Sequence, residues 1–595
     1  MQDIDVPVLI IGAGPAGLTA ALALSRYGTD CLLVEKHAGT AHTPRAHIVN
    51  QRTVEIMRHL GLEQQLLAAA TPSPLMRNNL WITTLAAPEV ARLEAWGTGA
   101  ERSGEYTAAS PSPMVNCPQT VFEPLLLEAV QNSGCEVRVR HELESFTQDA
   151  EGVTSIVLDR DSGERLRIRS RYLVGADGAA GKVLPQAGLS VEGHTAIAHA
   201  LNIWFRADLA PYLAHRPGVL AWNLAPGPLP TGRLGTLICH KPFTEFVLVI
   251  NYDPQAVDPA EWDDAQLAEH VTAVIGDDGV DIEILGASTW TVNAQVAPAY
   301  AAERVFCMGD AVHRHPPANG LGLNMSVADA FNLAWKLALV VAGDADPSLL
   351  SSYDAERQPV GAAGVARALK SRGEFAAVAD ALGYVPGQST AEGQALLDQL
   401  TAPGPEGEHR RRVLHEAVQR TNHQFNAHGV ELGYRYTAGA LVDDEPSPAA
   451  PDEADAFDEL HYHPTTRPGG RVPHARLGRG AREFSTLDLV EGTRFCLLTG
   501  LGGEVWREAA AAATAATGIE LDVHVIGEPD GPLDLYREWA ERRQVQESGC
   551  VLVRPDRHVA WRSFRAPSTA IAARELTEVI AFITGAVPAL GTTRR

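Results

Sequence analysis

Gly12, Gly14 and Gly17 stand in a G-x-G-x-x-G spacing directly after the apolar run 8–11, and a second apolar run, 31–34, ends at Glu35. Glycines at this spacing do chemistry with phosphate. Gly12 permits a tight turn, Gly14 lets backbone approach a pyrophosphate, and Gly17 lets a helix pack closely on its strand, while Pro15 and Ala16 lead into that helix. The unpaired N–H groups at the helix start attract an anion. Glu35, about twenty residues on and followed by Lys36, is placed to accept hydrogen bonds from ribose hydroxyls.

A second segment, 305–337, supplies the other half of a nucleotide site. Its strand pattern ends at Gly309-Asp310, where an aspartate can hold a sugar or ribityl hydroxyl. Pro316 and Pro317 stiffen the next turn, and Gly320, Gly322, Leu323 and Asn324 open a helix whose Phe331, Ala334, Trp335 and Ala338 fall on one face. A glycine-rich helix start presents free N–H donors and a positive dipole. An anionic reduced flavin suits that site and NAD does not, so the two halves point to FAD.

Both segments need a βαβ scaffold to position them. The order of strand, glycines, helix, strand and acid supplies one for the first segment. Sequence stretches at 200–207, 246–252 and 282–292 read as strands of a separate sheet, and residue 305 returns the chain to the nucleotide-binding unit.

With these motifs the chain resembles the class A flavoprotein aromatic hydroxylases, of para-hydroxybenzoate hydroxylase-like fold, and within them the phenol hydroxylase group. The resemblance is carried by TPRAHI at 43–48 with NQRT at 50–53, STWTVN at 288–293, DAVHRHPP at 310–317, NAHGVE at 426–431 and VLVRPD at 551–556. It covers essentially the whole chain. It implies an α/β architecture, with a Rossmann-type FAD-binding domain interleaved with a β-sheet substrate domain, plus a C-terminal thioredoxin-like domain. The corresponding boundaries are 1–184, with early segments of the substrate domain, and 304–426 for the two parts of the FAD-binding domain, 185–303 for the substrate sheet, and 427–595 for linker and C-terminal domain.

The resemblance further implies that Glu35 holds the adenosine ribose, Arg45 the pyrophosphate side, Gln119 the flavin region and Asp310 the ribityl chain. One motif departs from the pattern. Residues 177–184 read DGAAGKVL and lack the serine and arginine of the family motif, though Gly175, Asp177 and Gly178 remain. Flavin binding is expected to survive, and docking of NAD(P)H is the function this change touches.

The implied chemistry is reduction of the flavin by NAD(P)H, NADPH ahead of NADH, then reaction with O2 to a C4a-hydroperoxide that hydroxylates a phenol ortho to its hydroxyl. A substituted or chlorinated monophenol is the expected substrate, and a larger aromatic polyketide or other natural-product phenol the alternative. Phenolate is the better nucleophile, so a base is expected beside the substrate hydroxyl. His47 occupies the place where the phenol hydroxylases carry an aspartate with that role, and a histidine titrates in the useful range. The alternative is that His47 only hydrogen-bonds flavin or backbone. Trp290, Asn293, His315 and Pro316 are the candidate substrate contacts. His313 stands with them as a loop histidine, and His423, His428, His461, His463 and His474 read as surface or loop residues without metal-ligand spacing.

Composition bounds the remaining classes. The 595 residues favour more than one domain, and the formal charge of -24 disfavours nucleic acid and anionic membrane as partners. The N-terminus lacks the basic and apolar pattern of a signal peptide, and no stretch reads as a membrane span. Seven cysteines without a C-x-x-C fit a reducing, cytoplasmic compartment. A homo-oligomer is expected. A dehydrogenase leaves Gly309-Asp310 unexplained, a flavin halogenase would show a W-x-W-x-I-P motif, and a binding module needs no second cofactor motif. The acid- and proline-rich stretch 442–460 reads as an exposed linker and 591–595 as a disordered tail.

Overall fold

The computed structural model describes residues 2–227, 235–385, 387–443 and 457–585. Most of the expected linker at 442–460, and the tail at 591–595, lie outside them.

Among the described residues, the first eight-stranded sheet is built from distant pieces of chain. The strand Gln2–Ile11 lies at its centre, parallel to Cys31–Glu35 on one side and to Arg165–Gly175 on the other. Val305–Cys307 then adds in parallel beside Arg165–Gly175. The runs 8–11, 31–34, 172–175 and 305–307 within these strands are apolar and buried because both faces are covered there, as in parallel sheets generally. The helix Pro15–Arg26 covers one face and buries every residue from Ala16 to Leu24.

Against the same helix packs Leu321–Ala342, bounded by left-handed Gly320 (φ 61°) and Gly343 (φ 84°). The sequence predicts one apolar face for it, but nearly all of its residues are buried. It lies between the first sheet, the helix Ser351–Ala381 and the C-terminal unit, so no side faces water. Residues 318–342 are long and apolar enough to cross a membrane, and 89% of that apolar stretch is buried inside the fold.

The second eight-stranded sheet is almost wholly antiparallel, with Glu192–Arg206 paired to Glu245–Tyr252 and to Glu283–Val296. Thr236–Lys241, Gly218–Asn223, Asn78–Ile82 and Glu89–Glu94 extend it in that order. Strands from residues 78–94 therefore join a sheet formed mainly by residues 192–296. Side chains alternate across it. Leu201, Ile203, Phe205, Leu237, Phe246 and Leu248 belong to one apolar core, while Asn202, between two of them, reaches the Pro44 carbonyl of the nucleotide-binding half.

The C-terminal unit holds a four-stranded sheet. Phe495–Gly500 runs parallel to Leu521–Ile526 and antiparallel to Cys550–Val553, which pairs with Val559–Ser563. The helices Val505–Thr517 and Thr569–Ile583 pack on it and on each other. This unit is tied to the helix Gln51–His59 by buried charge. Arg471 donates to both oxygens of Glu55, Arg52 donates to the Asp556 carbonyl at 2.7 Å, and Arg557 donates to the Glu55 carbonyl at 2.8 Å. Deeper in, the Glu356 carboxylate is shared by Arg554 and Lys336, all fully enclosed.

Candidate active site

The first helix begins at Gly14 with no side-chain cap, so its leading amides have no acceptor in the helix. A methyl group on Gly12 (φ 105°) would overlap the Ala176 carbonyl, and one on Gly17 would overlap the Gly12 carbonyl. A methyl on Gly14 would meet nothing nearer than Glu123 Oε1 at 4.0 Å. The first and third glycines are therefore close-packing positions, while the second opens onto free space in front of a helix N-terminus, the shape a pyrophosphate needs. Glu35 closes the turn by accepting from Ala13 N and His37 N, each at 2.8 Å.

The two motifs read from sequence meet here. A methyl on Gly309 (φ 63°) would lie 3.4 Å from Ala16 Cβ. Asp310 is exposed beside this junction, in the turn Gly309–Ala311. Asp177 accepts from Lys182 N and Val183 N through Oδ2, leaving Oδ1 enclosed without a partner. The departure at 177–184 thus leaves the aspartate in place. Lys36 is half-buried and Arg45 exposed, while Gln119 is buried and donates to Glu123 Oε1 at 2.6 Å. Burial raises the Glu123 carboxyl above its ordinary pKa. These groups, with the uncapped start of the helix after Gly320, fit an FAD dinucleotide laid from Glu35 to Gly322.

One buried carboxylate organises the far end. Asp329 accepts from Gly309 N at 3.1 Å, Arg357 Nε at 2.7 Å and His313 Nε2 at 2.7 Å. Burial opposes its charge, but Arg357 and His313 hold its pKa below the usual value. His313 is therefore a core residue in an ion network. His315 donates through Nδ1 to the Pro316 carbonyl at 2.7 Å, and its enclosed Nε2 has no partner. That nitrogen would lie 3.7 Å from a methyl on Gly322, so His315 borders the helix start. Pro316 is buried and Pro317 exposed.

The loop 43–50 runs between this helix start and the second sheet, held by three asparagines. Asn324 donates to the Ile48 carbonyl at 2.9 Å and accepts from Asn50 N at 3.0 Å. Asn202 donates to the Pro44 carbonyl at 3.1 Å. Asn116 donates to the Cys239 carbonyl and to Thr71 Oγ1, each at 3.1 Å, which turns its Oδ1 toward His47 Nδ1 at 2.9 Å. The Asn116 oxygen must accept, so Nδ1 carries the proton and Nε2 the lone pair. Burial pushes the His47 pKa down to about 4, and the Asn116 bond only partly offsets this. The sequence places it in the neutral range. The partly buried ring instead titrates below that range.

Trp290 donates its indole N–H to Asn202 Oδ1 at 2.9 Å, so it supports the residue that anchors the loop. Asn293 accepts from Ala196 N at 3.0 Å. That bond engages it with its own sheet, two residues before Gln295, which pairs with Arg314. His428 and His474, expected at the surface, are buried. His428 stacks on Tyr106 with ring centroids 3.8 Å apart and bonds to Glu105 and Gln51, and His474 bonds to Ser485. The partners of His428 lie more than 300 positions away, which spacing does not reveal, whereas Ser485 is eleven residues beyond His474. Asn116, Asn202 and His240 were not identified from sequence. Their only signal is a polar residue in a strand or turn of otherwise apolar pattern.

The FAD binding domain family matches residues 5–368, and the aromatic-ring hydroxylase C-terminal family matches residues 465–586. The chain is 42% identical over 564 residues to 2,4-dichlorophenol 6-monooxygenase of Delftia acidovorans, covering 94% of this chain and 95% of that one. It is 39% identical to phenol 2-monooxygenase of Pseudomonas sp. strain EST1001, over 94% of this chain and 90% of the relative. Among solved structures, the flavin-dependent monooxygenase PieE in complex with FAD and substrate is 50% identical, with a TM-score of 0.94 over 98% of this chain and 100% of that one. Cradle geometry, sheet arrangement and both family matches agree: the chain belongs to the FAD-binding aromatic-ring hydroxylases.

Proposed function

We propose that this protein is a single-component phenol monooxygenase that uses NAD(P)H and dioxygen to hydroxylate a substituted monophenol ortho to its hydroxyl. Support for a phenol comes from the relatives that act on phenol and 2,4-dichlorophenol. FAD, when bound and reduced, supplies the activation of dioxygen and the electrophilic oxygen. Gly12, Gly14, Gly17, Glu35, Asp177, Asp310, Gly320 and Gly322 would hold it, with Pro15, Ala16, Lys36, Arg45, Gln119, Pro317, Leu323 and Asn324 around them.

The observation that carries the reading is the fixed tautomer of His47. With Nδ1–H held by Asn116, Nε2 is an acceptor for a phenolic O–H. Electron demand at the ring draws that proton toward Nε2 as the carbon–oxygen bond forms. A ring nitrogen titrating near 4 is a weak base, which favours phenols already acidified by electron-withdrawing substituents. His315 and Pro316 border the helix start, and Trp290 acts through Asn202. The C-terminal unit, a parallel strand–helix–strand followed by an antiparallel pair and a helix, is read as thioredoxin-like and as packing or dimer support. A homo-oligomer in a reducing cytoplasm completes the reading.

The test is a panel of phenols assayed for NADPH consumption together with hydroxylated product and hydrogen peroxide. Tightly coupled product with halogenated monophenols is expected. NADPH oxidation yielding only peroxide across the panel would refute phenol hydroxylation.

A further inference from the structure

His240 is the least explained polar side chain near the loop. It is 4% exposed, and neither ring nitrogen has a hydrogen-bond partner among the described residues. A buried imidazole is ordinarily satisfied, so one with both nitrogens idle marks a place where something else binds.

Its position is specific. Thr236–Lys241 pairs with Glu245–Tyr252, and the register shifts between Cys239 and Lys241, so His240 sits in a bulge. Bulges re-aim a side chain. Thr236 is aligned with Val249, and Val249 with Asn202, whose amide reaches the Pro44 carbonyl. That face of the sheet is therefore the one turned to the loop that carries His47. The two rings are close enough that His47 helps hold the His240 pKa down, after burial itself. Asn116 ties the two segments together, its oxygen accepting from His47 and its nitrogen donating to the Cys239 carbonyl beside His240.

We propose that His240 is a substrate-binding residue that acts opposite His47, the two imidazoles gripping one phenolic oxygen between the loop and the sheet. This rests on the phenol hydroxylase reading. The substrate O–H donates to His47 Nε2, whose lone pair is fixed by Asn116, while a His240 N–H donates to the same oxygen. A neutral imidazole always carries one such donor. The pair recognises a hydroxyl-bearing ring and discriminates against the same ring without the hydroxyl, because two buried polar groups would then be left idle.

The test uses FAD-loaded protein, difference spectroscopy, and two ring probes, 4-nitrophenol and nitrobenzene. H240F is expected to weaken 4-nitrophenol about tenfold and nitrobenzene less than about twofold. H240Q, which restores a donor, is expected to recover most of the lost affinity. Unchanged 4-nitrophenol binding in H240F, or equal loss for both probes, would overturn the assignment. Should H240F fail to retain FAD, H240Q decides alone: 4-nitrophenol affinity near wild type supports the donor role, and a loss shared equally by both probes removes it. Failure of the wild type to hydroxylate any phenol would instead sink the parent reading.

Discussion

His313 Nε2 lies 2.7 Å from Asp329 Oδ2 with both side chains wholly enclosed. The same carboxylate receives Gly309 N and Arg357 Nε, so one residue ties the flavin-binding turn to two helices. Asp329→Ala leaves Arg357 buried without its counter-charge. The expected loss is about 3–5 kcal/mol of stability, the scale for breaking a buried pair. Urea midpoints and the FAD retained after gel filtration measure it, and a protein that kept both would show that the turn holds itself.

Gly12→Ala strikes the other motif. The left-handed φ of 105° and the overlap with the Ala176 carbonyl forbid a side chain there. The expected product folds but loses at least about tenfold in FAD affinity. The ratio of flavin to protein absorbance during reconstitution gives the answer.

His47→Ala should leave NADPH-driven flavin reduction intact and cut hydroxylation by about a hundredfold, the lower end for a group in proton transfer. Reduction and product formation are measured separately by stopped-flow and chromatography. The pH dependence has a stated direction. With His47 titrating near 4, the acceptor stays available from neutrality into mild acid, and coupling falls only as the ring protonates around that value. A decline centred near the ordinary histidine value of 6.5 would mean that the occupied site no longer holds the ring neutral.

Glu356 predicts the acid stability. Burial opposes its charge, yet Arg554 and Lys336 bring its pKa from 4.5 to about 2. A depressed carboxylate contributes stability in full above its unfolded value. That contribution is lost as pH falls from about 4.5 through about 2. Glu356→Gln should lower the unfolding temperature at neutral pH and flatten the acid slope over that window, as differential scanning fluorimetry would show.

The sequence makes the nucleotide half legible because its signals are local. Three glycines, an acid at fixed distance and a glycine-rich helix start each state their own backbone requirement. The substrate half is legible only as strands. Asn202, Asn116 and His240 matter through partners brought together by two sheets, and no spacing encodes that. His428 reads as a loop residue because Gln51 and Glu105 lie more than 300 positions away in the chain. The helix Leu321–Ala342 reads as one-sided because its remaining surface is covered by segments far along the chain, Phe495 against Trp335 and Asp556 against Asn332.

The bond from Arg52 to the Asp556 carbonyl has a consequence for synthesis on the ribosome. The second helix of the nucleotide-binding half is made early, yet its buried arginine waits for a segment translated 504 residues later. Until that segment emerges, Arg52 lacks the Asp556 carbonyl and Glu356 lacks Arg554. Nascent chains halted before residue 556 should therefore be recognised by cellular quality control, however complete their glycine motifs.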